Sequence, residues 1–375
     1  MKKYLLFFTI FLSILIIACD NKHNSNLSDV QKIEISINPT VELFSLMHHL
    51  AGDKQYNENL IPDYIKKVDS HFELFKNHPA IEFAKECNTL YQINGDAPMA
   101  LAVFIGQPPQ LEPEIDLSNL PNDFDPRWDS TLISNYLKHA RTFAVESEFM
   151  KFHMDQNAFH KKSIENLKEM LFKENIIEWF FTFFGYYPDN FKINIALLNG
   201  SCNYGYKTEL PDGKIESVCL LGARDPKWIN GTPTYNKKWF LPVIIHEFCH
   251  SYINPLIITK PEEFKAIGDA ILKRHHEAMR KKGYDVWNVV LNEYLVRAYT
   301  IKFLKEHEGI EEVERNIKND KLNGFVEIEG LVQLLEEYEN NRNEYPEIES
   351  FLPEIKKYFT SKFLITKNND AINTQ

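Results

Sequence analysis

The segment Pro242-Val243-Ile244-Ile245-His246-Glu247-Phe248-Cys249-His250 decides the reading of this chain. An apolar run leads into His-Glu-x-x-His, and on a helix two residues four apart stand about 40° apart and one turn along. Both imidazoles can then reach one metal ion from the same face, while Glu247 sits beside them. A His-Glu pair set among Val, Ile and Phe is costly to bury unless something pairs or ligates it. The spacing therefore implies one zinc per chain, with His246 and His250 as ligands and Glu247 as a general base that activates water for amide hydrolysis.

A third ligand must come from elsewhere in the chain. A glycine three and a histidine six residues past His250 would supply one pattern, but Ile253 and Leu256 stand there, and no glycine-rich Asp motif follows. The remaining class takes a glutamate from a later helix. Leu291-Asn292-Glu293-Tyr294-Leu295-Val296-Arg297-Ala298 carries an acid inside an apolar helical pattern, which makes Glu293 the candidate. The pair of motifs, His246-Glu247-x-x-His250 and Asn292-Glu293, resembles the gluzincin metallopeptidases. The resemblance implies a zincin-like α+β fold, with a small mixed or antiparallel sheet packed on the zinc-binding helix and a mostly helical remainder.

The chain departs from the compact gluzincins in one respect. Glu293 lies 43 residues beyond His250, an interval that holds Glu262, Glu263, Asp269, His275, His276 and Glu277. These are alternative third ligands, although Lys273, Arg274 and Arg280 to Lys282 give the same stretch the character of a solvated helix face. Arg297, at i+4 from Glu293, would stabilise a developing oxyanion or pair with a neighbouring carboxylate. Tyr204 and Tyr294 are other candidates for the oxyanion donor, and the sequence does not choose among the three.

Working outward, Phe191 to Leu198 and Ile215 to Leu221 alternate as strands and are expected to form a hairpin pair. The resemblance also implies that Ile215–Leu221 is an edge strand that receives substrate as an added antiparallel strand. Cys202 and Cys219 flank the Pro211-Asp212-Gly213 turn signal, which leaves a cross-strand bridge and two free thiols both open. Cys87 and Cys249 complete the set, and no pair has metal-binding spacing.

Helical patterns occupy 41–50, 64–75, 80–90, 131–152 and 156–184, and recur after Trp239 at 241–252, 261–281, 286–307, 331–338 and 353–363. Lys32 to Ile37 alternates as a short strand, Met99 to Ile105 fits helix or strand, and a proline-rich connector runs from Gln107 to Pro126. The aromatic stretch from Trp179 to Tyr187 reads as core packing rather than a substrate or lipid wall.

Lys2 and Lys3 precede 15 apolar residues, Tyr4 to Ala18, a run too short for an ordinary spanning helix. Ile16-Ile17-Ala18-Cys19 resembles a bacterial lipobox, which implies cleavage after Ala18 and lipidation of Cys19. The expected organisation is thus a signal peptide at 1–18 and a lipidated cysteine with polar tether at 19–31. A mostly helical region at 32–185, a zincin-like region at 186–366 and a polar tail at 367–375 follow. The lipobox, Asn203-Tyr204-Gly205 and His250-Ser251-Tyr252-Ile253-Asn254-Pro255 together are similar to an uncharacterised bacterial family of zincin-like lipoproteins with a domain of unknown function.

Composition narrows the rest. With 375 residues, 44% hydrophobic and 25% charged, the chain can bury a large core, in two or three domains or one large one. A net charge of −11 repels nucleic acid, and the 14 glycines form neither a phosphate loop nor a dinucleotide fingerprint. The expected partners are a peptide or protein substrate and, through Cys19, a membrane of the bacterial cell envelope. The rival reading is a non-catalytic binding lipoprotein that keeps a zincin scaffold, which an open metal coordination position would separate from an enzyme.

Overall fold

The computed structural model describes residues 32–121, 124–186, 188–210, 212–223, 228–229 and 232–365. The leader, Cys19, the tether and the polar tail lie outside these residues, as do Asp123, Tyr187 and Pro211. Four strands make the main sheet: β1 (Ile33–Ser36), β2 (Asn190–Ile195), β3 (Tyr204–Glu209) and β4 (Ile215–Leu221). Their order is β1-β2-β4-β3, with β1, β2 and β4 parallel and β3 antiparallel to β4. A two-stranded ribbon, β5 (Trp228–Ile229) and β6 (Thr232–Pro233), follows.

The helices are α1 (Pro39–Ala51), α2 (Pro62–Phe72), α3 (Pro79–Tyr91), α4 (Ala97–Ala102), α5 (Ser130–Glu146), α6 (Phe149–Asp155), α7 (Asn157–Leu171) and α8 (Ile176–Phe184). After the sheet come α9 (Lys237–Ile258), α10 (Pro261–Arg280), α11 (Trp287–His307), α12 (Ile310–Leu322), α13 (Ile328–Asn340) and α14 (Ile348–Phe359). The architecture is mixed α+β, mostly helical, around a small mixed sheet.

Two strand expectations are corrected. Phe191–Leu198 and Ile215–Leu221 are neighbours but run parallel, so they are no hairpin, and β4 is an inner strand rather than an edge. The missing strand is Tyr204–Glu209, whose Tyr-Gly-Tyr-Lys-Thr-Glu sequence lacks apolar alternation because it is mostly half-buried at the sheet edge. The hairpin joins β3 to β4 through Asp212 and Gly213. Gly213 takes φ +83°, and the Asp212 carboxylate accepts from the Lys214 amide. Ile193, Cys219 and Gly205 lie in register across three strands.

One apolar core runs through the molecule and includes residues from β1 to Phe363. The N-terminal part contributes β1 to the sheet, and α1 is buried along nearly its whole length. Its Glu42 carboxylate accepts from the Leu197 amide at 2.7 Å and from the Tyr64 hydroxyl at 3.1 Å, tying α1 and α2 to the end of β2. In α8, Trp179, Phe180, Phe183 and Phe184 are buried, and Phe184 stacks on Tyr252 of α9 with ring centroids 4.3 Å apart. Most of the aromatic stretch is therefore core, while Phe181 and Tyr186 are exposed. Among the described residues no helix is long and apolar enough to cross a membrane.

Candidate metal centre

α9 begins at Asn236, whose side chain accepts from the Lys238 amide at 3.0 Å. It is buried on several faces, as a helix between a sheet and other helices must be. Phe248 meets Phe191 of β2 edge-on at 5.1 Å, and the Ser251 hydroxyl lies 2.7 Å from that of Ser217 in β4. α11, buried around most of its circumference from Val290 to Leu304, packs along α9.

This packing brings His246, His250 and Glu293 together, with one ligand atom from each lying within 4.8 Å of the others. The Nε2 atoms of the two histidines are 3.2 Å apart. Glu293 Oε1 is 3.4 Å from His250 Nε2, and Oε2 is 3.7 Å from His246 Nε2. It is the one such cluster among the described residues. The interval acids sit elsewhere: Glu263 pairs with Lys356, Asp269 with Lys265 and Glu277 with Lys281.

The His250 Nδ1–H donates to Asn254 Oδ1 at 3.0 Å, which fixes the tautomer and leaves Nε2 facing the cluster. Asn254 continues the i+4 stripe of His246 and His250, a signal present in the sequence but given no role there. Two further neighbours were missed. Tyr284, between α10 and α11, lies with its hydroxyl 3.3 Å from Arg297 Nη2, and Asp320 of α12 takes Arg297 Nη1 at 2.8 Å.

Electrostatics separate the two acids of the site. Burial pushes the Glu247 carboxyl up to about 7, with Glu293 adding to the rise and His250 opposing it. Burial would raise Glu293 as well, yet Arg297 and His246 hold it well below the usual carboxylate range. Burial pushes His246 down to about 4, whereas for His250 burial is outweighed by Glu293, which pushes it up to about 9.

Of the proposed oxyanion donors, Arg297 gives Nη2 to Glu293 Oε2 at 2.9 Å and Nη1 to Asp320, so it is engaged with carboxylates. The Tyr204 hydroxyl donates to Gln55 Oε1 at 3.0 Å. Tyr294 is fully buried, its hydroxyl toward the Gly324 carbonyl and its ring against Phe325. Strand β3 crosses α9 so closely that a Cβ on Gly205 would lie 1.9 Å from the Glu247 carbonyl oxygen. Cys87, Cys202, Cys219 and Cys249 are all free thiols.

Fold and site together define a mostly helical α+β protein with a two-histidine, one-glutamate cluster, its glutamate buried and its histidines partly so, between the two longest helices among the described residues. The chain belongs to the family described as a domain of unknown function, DUF4932, which it matches over residues 33–358. No curated protein and no solved structure matches it.

Proposed function

We propose that the chain is a zinc-dependent metallopeptidase of gluzincin type. The observation that carries this reading is the convergence of His246, His250 and Glu293 next to Glu247 of the same motif helix, whose carboxyl is pushed up to about 7 by burial. Two imidazole nitrogens and a carboxylate oxygen fit the donor set of a catalytic zinc, which keeps a further position open. Bound there, zinc supplies Lewis acidity to a water molecule and to the substrate carbonyl.

The chain's own residues supply the rest. His246, His250 and Glu293 hold the ion, and Asn254 orients His250. Glu247 takes a proton from the attacking water and delivers it to the leaving amine, a task suited to a carboxyl that titrates near neutrality. A zincin-like fold is part of the proposal. It is supported by a mixed sheet whose single antiparallel strand, β3, is the edge strand lying against the motif helix. An extended peptide would add to the free edge of β3.

The same proposal includes a bacterial envelope location, with Cys19 lipidated and the leader removed, supported by the basic start, apolar run and lipobox resemblance. Glu247→Gln tests the enzymatic reading, because it removes the base while leaving all three ligands. Hydrolysis of a peptide library should be lost with zinc retained, and undiminished hydrolysis would sink the assignment.

A further inference from the structure

Glu293 reaches the histidines from a different helix, so its usefulness as a ligand depends on what holds its carboxylate in place. Arg297, one turn further along α11, gives Nη2 to Glu293 Oε2 at 2.9 Å and Nη1 to Asp320 Oδ1 at 2.8 Å. Its guanidinium lies over the Phe325 ring, 4.5 Å from the centroid, and the Tyr284 hydroxyl accepts from Nη2 at 3.3 Å. Arg297 and both carboxylates are largely shielded from solvent, with side-chain exposures of 18%, 8% and 11%. A shielded triad of this kind costs desolvation and adds little stability over apolar packing, so its worth lies in the geometry it fixes.

We propose that Arg297 is the positioning residue of the cluster: anchored on Asp320, it pins Oε2 of Glu293, so that the carboxylate offers Oε1 to a metal held by His246 and His250. This rests on the zinc reading given above. The planar fork suits the task, because its two donors fix direction as well as distance, which an ammonium does not. The anchor also makes α12 part of the site.

Charge and orientation predict opposite signs for the loss of this residue. A cation beside the ligands repels a dication, so a purely electrostatic role would make metal binding tighter once Arg297 is removed. A positioning role makes it weaker. The experiment measures zinc affinity of the full chain by chelator competition at constant pH, together with the visible spectrum of the cobalt(II)-substituted protein. Arg297→Gln should bind zinc roughly 10–100-fold more weakly, with an altered cobalt spectrum, and Arg297→Lys should recover part of the loss.

Equal or tighter zinc binding by Arg297→Gln with a parental cobalt spectrum overturns the proposal and leaves the zinc site standing. Should Arg297→Gln fail to fold, judged by circular dichroism, Asp320→Asn removes only the anchor. It should weaken zinc severalfold, and unchanged affinity and spectrum in that variant overturn the proposal equally. A parent that binds no zinc overturns the underlying reading and this one with it, whereas a parent whose zinc is lost in His246→Ala confines any failure to Arg297.

Discussion

Glu247 and Glu293 are carboxylates on neighbouring helices, and their surroundings drive them apart. Burial lifts Glu247 to about 7, while Arg297 and His246 overcome burial to keep Glu293 ionised. On the proposed function, such separation would give one acid to proton transfer and the other to permanent charge. Glu247→Gln should therefore cost at least about 100-fold in kcat, with zinc content and folding unchanged. Glu42 offers a second test at this scale, in stability. Burial raises its carboxyl from 4.5 to about 7 despite the hydrogen bonds from Leu197 and Tyr64. Between those pH values the native state keeps a proton that the unfolded chain has released, so stability falls as pH rises through the window. The loss is of order 3 kcal/mol at most. Chemical denaturation of Glu42→Gln across pH 4.5 to 7 should show a flatter profile than the parent. Residues were legible where spacing carried them: His246 and His250 at i+4, and Glu293 as an acid inside an apolar helix. Asp320 was not, because its partner Arg297 lies in another helix and nothing local marks the pair.

The close crossing of β3 over α9 sets strand backbone directly against the motif helix. At Gly205 the strand backbone meets the helix backbone at Glu247, and only a residue without Cβ fits. Gly205→Ala should destabilise the protein by about 2–3 kcal/mol, read as a lower melting temperature, and should disturb the site as well, since the displaced atoms belong to Glu247 and His250. A melting temperature equal to that of the parent would show that the strand can lift away without cost. Helices with broad apolar faces, such as α1, α9 and α11, were readable from periodicity. β3 and α12 were not. The strand half-buries both tyrosines and fully buries only Thr208, and α12 buries only Val313 and Asp320. Pro242 and Pro255 sit inside α9, which runs past the expected end at Tyr252 to Ile258.

At the scale of the whole molecule, the sheet and the core join the two halves of the chain. β1 comes from residues before α1 yet pairs with β2, and Glu42 caps the far end of that strand at Leu197. A fragment of residues 186–366 alone would lose β1, expose the edge of β2 and uncover the apolar surface that α1 and α8 cover. It should show no cooperative thermal transition and should aggregate. A sharp melt of the isolated fragment would mean that the motif region carries its own core. Long-range pairing of this sort leaves no trace in local periodicity, which is why the strand order was not readable while the strong strands and helices were.

Zinc content of the purified protein tests the central claim most directly, with the parent compared against His246→Ala and Glu293→Ala after equilibration with zinc and removal of the excess. The account predicts about one zinc per chain in the parent and loss of it in both variants. A parent without zinc, or a Glu293→Ala variant that binds it as the parent does, would contradict the three-ligand site.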